Sequence, residues 1–429
     1  MKLQNRKKIS SLNAVFAKAI AQGIAEAPSQ FFAEMLREKA QAAGTKISVS
    51  TSKFLARWLI ESGTGSASWS SAEGNEPDTV ILLTADDLET VANKLDEFGR
   101  VKIPDIIRDS IDDCSKDILR TLEKDWPSQK DYEATRMEAF RFNLEARWGD
   151  AFDILRMMYT ISIELGGQIE KRWRRRSKKL ATLRYVLLSL HARACQVTAE
   201  IICLMENGFA DGAMARWRTL HEIRIVTSLI AEHGEELAEM YLAHEVVEAK
   251  RAMDKYNAFH VETGAPAVQK REIDAVQRAY ANSLKRYGDQ FGSEYGWAAK
   301  HLNMKKPRFV DLEKSVGHQA MQPYYRMASY NVHAGCKGIT FRLSRMRNSR
   351  NILIAGASNA GFVDPATNTG QAILEVTGLL FGPKWRFSDM IELKVLISLW
   401  NRLPDSLDRA QRRLDRDHRR TVDRTKRAA

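Results

Sequence analysis

Along most of the chain, apolar residues recur at intervals of three and four, the period of a helix with one buried face. The clearest run contains Leu183, Val186, Leu187, Leu190, Ala194 and Val197 and predicts a core helix over 180–205. Asn207 and Gly208 are expected to end it. Asp211 is then expected to cap a helix over 212–231 that stops at His233 and Gly234. Further helices are predicted over 235–259 and 267–287, with an irregular aromatic stretch over 288–309. Upstream, residues 12–43 read as one long helix or as a pair divided at Pro28 and Ser29, and a short helix follows over 53–61. Thr84, followed by Asp86 and Asp87, reads as a helix start. That helix is expected to run to Phe98, and another to begin at Pro104. Pro127 with Ser128, and Gly166 with Gly167, are the expected breaks in the helical pattern over 104–170. Thr79–Thr84 (TVILLT) is the one apolar run short enough to be a strand. The Gly/Ser-rich loop at 62–78 lacks the GK[ST] of a phosphate loop.

The fold class is therefore all-α, a multi-helix bundle. The expected divisions are a helical N-terminal region over 1–130, a main helical domain over 131–400, and a basic helical or disordered tail over 401–429. Composition agrees: the 429 residues are 44% hydrophobic and 28% charged, with only 10 prolines. No run of about 18 uncharged apolar residues appears, so no integral membrane association is expected. The basic N-terminus, interrupted by Lys18 and Gln22, reads as an amphipathic surface helix. Cys114, Cys195, Cys203 and Cys336 form no CxxC pair, which suits reduced thiols in a cytoplasmic protein. Cys195 and Cys203 read as core residues.

The net charge of +12 changes the picture through its location. Residues 171–184 carry eight basic residues and no acidic one, and residues 402–429 carry ten basic and five acidic. In the first cluster, Arg172, Arg174, Arg175, Arg176, Lys178 and Lys179 surround Trp173 and are candidate nucleic-acid contacts. The alternative is a solvated helix face. The mixed Arg/Asp tail suits intrahelical pairs.

Candidate chemistry centres on 322–335, QPYYRMASYNVHAG. Pro323 suits a helix start and Gly335 a residue just past its end. A helix between them would place Arg326, Ser329, Tyr330 and His333 on one face. Histidine moves protons near neutral pH, and arginine stabilises charge on a phosphate. That equipment fits metal-independent RNA cleavage by a 2′-hydroxyl. The alternative is a histidine bonded to a helix end and an arginine in solvent. A second feature is Arg218 and Glu222, four apart on one helix, read as a structural or site-supporting pair. His221, His244, Glu222, Glu245 and Glu248 show no HExxH and no paired ExxH, so no metal and no cofactor is expected.

Residues 183–345 resemble an uncharacterised bacterial family, domain of unknown function DUF5677. The resemblance rests on Ala215, Arg218, Leu220 and Glu222 in ARWRTLHE, on Tyr241 in EMYLAHEVVEAKR, and on Tyr325, Ser329, Val332 and His333. It implies a helical fold and no particular activity. The Arg326-x6-His333 spacing is also similar to that of HEPN ribonucleases, although Met327 follows the arginine where that motif commonly has a polar residue. This second similarity implies Arg326 and His333 acting on RNA, a homodimer and a defence or toxin role. Three functions stay open: an RNA-cleaving enzyme, a non-catalytic helical binding or scaffold module, and a peripheral membrane protein.

Overall fold

The computed structural model describes residues 4–63, 80–174, 178–346, 353–382 and 386–428. The expected loop beyond residue 63, Arg175, Arg176 and the end of the basic run 342–350 lie outside the described residues. Every regular element among the described residues is helical. Residues 80–84 of the expected strand form none, and Val80 and Leu82 stand exposed. A strand needs a second strand to satisfy its backbone, and no described segment supplies one.

The chain divides into two compact units, Met1–Arg136 and Met137–Ala429. The first unit holds α1 (Gln4–Ala42), α2 (Val49–Ser62), α3 (Ala85–Glu97) and the start of α4 (Ile103–Trp173). Its core joins Ala33 and Leu36 of α1 to Leu55 and Ala56 of α2 and Val91 of α3. Thr84 and Asp87 form a reciprocal capping box at the start of α3. Lys39 ties α1 to that cap, with its ammonium 2.5 Å from the Asp87 carboxylate and 2.9 Å from the Leu82 carbonyl. The Lys39 hydrogen bond, then those of Thr84, hold the Asp87 carboxyl down at about 2.

Three expected breaks are absent. α1 runs through Pro28, and α4 runs unbroken through Pro127 and the Gly166–Gly167 pair. A π-helical turn over Phe98–Lys102 carries the chain from α3 straight into α4. Proline frees the carbonyl four residues back, and here the residues concerned, Ile24 and Glu123, are exposed, where water serves as the partner.

The second unit contains α5 (Ala181–Glu206), α6 (Ala210–His233), α7 (Glu235–Ala243), α8 (Glu245–Phe259), α9 (Lys270–Tyr287), α10 (Phe309–Ser315), α11 (Gln322–Tyr330), α12 (Cys336–Thr340), α13 (Val363–Leu379) and α14 (Phe387–Ala428). α6 is its axis, packed by α5, α10, α11 and α13. The reason is in its sequence: Met214, Trp217, Leu220, Ile225 and Leu229 point in several directions and all are buried. Against it lies α5, a helix long and apolar enough to cross a membrane, with 56% of its apolar window buried inside the unit. Gly166 lets α4 approach α5: a Cβ there would sit 2.7 Å from the His191 ring. His191 is buried with Nε2 3.2 Å from the Thr377 hydroxyl, and burial lowers its pKa to about 4. Cys195 lies in the core, whereas Cys203 is exposed, contrary to the sequence expectation.

The basic tail is part of α14. Leu403, Leu407, Ala410 and Leu414, at intervals of four and three, are buried in the unit's core. Pro404 is itself exposed, between buried Leu403 and Leu407, and does not end the helix.

Candidate functional site

Arg218 and Glu222 form the expected pair on α6, with Nε 3.2 Å from Oε1. The structure adds a third member, Tyr325 of α11. Its hydroxyl donates to the same Glu222 oxygen at 2.5 Å, and the Arg218 guanidinium lies over its ring, 4.7 Å from the centroid. Burial and then the Glu222 carboxylate push the Tyr325 phenol upward, so it stays a donor. Two family-like motifs 103 residues apart are thus one contact.

One turn on, α6 carries charge into the core. His221 stacks on Trp217 with ring centroids 5.1 Å apart, and its Nε2 lies 2.8 Å from Glu313 of α10. Burial first, then Arg224 and His318, lower the His221 pKa to about 3. The neutral ring donates from Nε2, and Nδ1 has no partner among the described residues. Arg224 is 0% exposed. It donates to His318 Nδ1 at 2.5 Å and faces the Glu375 carboxylate of α13 at 3.0 Å. Sequence reading missed Arg224, Glu313, His318 and Glu375. The available signal was the apolar wrapping of α6, which leaves a charged residue at 224 no route to water.

Asp211 does not cap α6. It sits in the first turn, 7% exposed, and its carboxylate binds the 342–344 segment. It accepts from the Leu343 amide at 2.8 Å, from Arg342 Nε at 3.1 Å, and from the Ser344 hydroxyl.

The expected four-residue stripe on 322–335 is only partly present. α11 stops at Tyr330, with Asn331 at its C-cap, so His333 lies in the turn beyond. Gly335 is not the stop; it is the N-cap of α12. The decisive glycine is Gly338, where a Cβ would come 2.5 Å from the Tyr330 carbonyl oxygen, so α12 folds back tightly over the end of α11. The Ser329 hydroxyl donates to the Tyr325 carbonyl at 2.9 Å, and the His333 amide donates to the Ser329 carbonyl at 3.1 Å. A cleft of about 480 Å³ gathers Tyr330, Asn331, His333, Cys336 and Arg342. Arg326 is exposed and does not line it. Tyr330 and His333 therefore share a cleft, while the cation on its wall is Arg342.

Of the 171–179 cluster, Arg172 is committed to Asp389 at 2.6 Å and Arg174 to Glu170 at 2.6 Å. Arg175 and Arg176 lie outside the described residues, as does the Lys178 side chain; Lys179 is exposed. A denser basic surface lies on α14. Arg409, Arg412, Arg413, Arg416 and Arg419 line a groove of about 490 Å³ beside Asp150 of α4 and Asp415. Among the described residues, no three His, Cys, Asp or Glu side chains converge as a metal-binding group.

Residues 184–351 match the model of a family of unknown function, DUF5677. No curated protein matches the chain, and no solved structure does. The matched span contains the Arg218–Glu222–Tyr325 contact, the His221–Glu313 pair and the His333 cleft, and it excludes α13 and α14.

Proposed function

We propose that this helical protein binds nucleic acid through the phosphate backbone, with the arginine face of α14 as its main contact. The observation that carries this reading is a helix fixed by one stripe and charged along another. Leu403, Leu407 and Leu414 are buried, while Arg409, Arg412, Arg413, Arg416 and Arg419 are exposed. From 409 to 419 the helix rises about 15 Å, which passes about four phosphates of one strand. Arg412 is held by Asp408 at 2.6 Å, and Arg413 donates to the Arg147 carbonyl at 3.0 Å. Arg409, Arg416 and Arg419 have no ion pair among the described residues and are available to phosphate.

The test is anisotropy of labelled RNA and DNA across a salt series. Wild type should bind with affinity falling steeply as salt rises. Replacing Arg409, Arg416 and Arg419 with Gln should flatten the log–log slope by about 2 to 3. An unchanged slope, or no binding at low salt, overturns the reading.

A second reading is favoured by the cleft that holds His333 beside Tyr330 and Arg342. There, His333 would accept the proton of an RNA 2′-hydroxyl as that oxygen attacks the adjacent phosphate, forming a 2′,3′-cyclic phosphate while the 5′-oxygen leaves with a proton from water. Arg342, whose Nε is held by Asp211, would offset charge on the phosphate through its remaining N–H groups, and Arg326 would contact a flanking one. RNA cleavage with a chelator present, lost in His333→Ala at unchanged melting temperature, supports this. Absence of cleavage by wild type leaves binding alone.

A further inference from the structure

A groove in the second unit lies away from α14 and from the His333 cleft. It has a volume of about 1340 Å³ and runs between α7–α8 and the turn that carries Glu294, Tyr295 and Trp297. Its floor is aromatic. Trp297 is 4% exposed, and Tyr241 packs edge-on against it at 5.1 Å. Tyr295 completes the floor, and neither tyrosine hydroxyl has a hydrogen-bond partner among the described residues.

The rim is acidic. Glu245, Glu248, Asp254 and Glu294 outnumber Arg251 and Lys255, in a chain whose net charge is +12. Both tethered groups on that rim are accounted for: Arg251 donates to the Gly292 carbonyl at 3.1 Å, and Asp254 is held by Lys250 at 2.5 Å. Glu245 and Glu294 have no ion pair among the described residues. Glu248 is 61% exposed and only loosely engaged, 3.5 Å from Arg251.

A buried acceptor also faces this rim. His244 is 4% exposed and lines the groove. Its Nε2 is taken by the Ser293 carbonyl at 3.0 Å. That fixes Nε2 as the donor and leaves a lone pair on Nδ1. Nδ1 looks toward the Glu248 carboxylate at 3.8 Å, too far for a hydrogen bond. Burial lowers the His244 pKa, so the ring brings no positive charge to the groove. A donor lying to the side of that gap could reach both acceptors at hydrogen-bond distance.

We propose that this groove binds an aliphatic polyamine, its methylene chain on the aromatic floor and its ammonium groups at Glu245, Glu248 and Glu294. One ammonium donates to both His244 Nδ1 and Glu248. Aromatic faces attract cations and accept methylenes, and the four carboxylates disfavour phosphate and any fully apolar ligand. The site is independent of the α14 reading, because no residue is shared.

Spermidine, putrescine and magnesium would be titrated calorimetrically into the full chain freed of nucleic acid. One spermidine should bind per chain, more tightly than putrescine, with no comparable magnesium site. The double variant Glu245→Gln/Glu294→Gln alters two exposed side chains and should weaken spermidine at least tenfold at an unchanged melting temperature. Equal binding to wild type and variant overturns the proposal, and so does equal competition by magnesium. Binding of an arginine-rich peptide without binding of spermidine would also overturn it, in favour of a protein partner.

Discussion

α6 and α14 both carry arginines among leucines, yet they use them in opposite ways. Arg224 of α6 has no exposed surface and is met by His318 and Glu375 from two other segments. The arginines of α14 face water above a buried leucine stripe. Arg224 lies on the side of α6 that is wrapped by buried apolar residues, so its charge must be paired inside or not tolerated. In α14 apolar residues occupy one side, so the charge remains available to a partner. A buried charge constrains which segments meet, whereas an exposed one leaves the fold almost indifferent.

The largest effect that follows is at Arg224. Arg224→Ala should cost about 3–5 kcal/mol, because it leaves Glu375 and His318 without their cation in a poorly solvated site. Urea melts read it directly. A loss below about 1 kcal/mol would mean that α6 treats charge as α14 does. Replacing Arg224 and Glu375 together with apolar residues of similar volume should recover much of the loss.

Acid sharpens the contrast next. The pKa values of His191 and His221 are lowered in the folded protein, to about 4 and about 3, while in the unfolded chain each takes a proton near 6.5. The unfolded state therefore binds more protons between those values. Their contribution is fully present above about pH 6.5 and is lost as pH falls toward 4 for His191 and 3 for His221. Each histidine contributes a slope of up to about 1.4 kcal/mol per pH unit. Burial raises the Glu313 pKa, which acts in the opposite sense and flattens the profile. Denaturant midpoints from pH 7 to 5 test this, and a midpoint that rises on acidification would contradict it.

Tyr325→Phe should have a smaller effect. It removes one hydrogen bond to Glu222 but leaves Arg218 on the same carboxylate and Phe309 stacked on the ring at 4.9 Å. A loss of about 1–2 kcal/mol is expected in thermal or urea melts. A loss as large as that at Arg224 would mean that the Tyr325 hydroxyl holds α11 in place by itself.

The same contrast explains what could be read from the sequence. Local signals were legible: the Thr84–Asp87 cap, the stops at Asn207–Gly208 and His233–Gly234, and the i,i+4 pair Arg218–Glu222. Each depends on neighbours in sequence. The prolines at 28 and 127 misled because a helix tolerates proline where water can serve the freed carbonyl, and exposure is a tertiary property. The stripe through His333 failed for a similar reason. Gly338 lets α12 close on the Tyr330 carbonyl and ends α11 early, a contact that spacing alone does not encode. The His221–Glu313 and Arg224–Glu375 partners lie 92 and 151 residues apart, the latter from 375 − 224, and no periodicity links them.

The smallest effect on stability is expected on α14, where it carries the most information. Replacing Arg409, Arg416 and Arg419 with Gln leaves Leu403, Leu407 and Leu414 buried and removes no ion pair among the described residues. Glutamine is a comparable helix former, so each change should stay within about 0.5 kcal/mol. Melting of the triple variant beside wild type checks this, in the same samples used for nucleic-acid binding. Unchanged melting with a flattened salt slope would assign these arginines to a partner. A clear drop in melting temperature would instead place them in the fold, as at Arg224, and the two helices would no longer differ in kind.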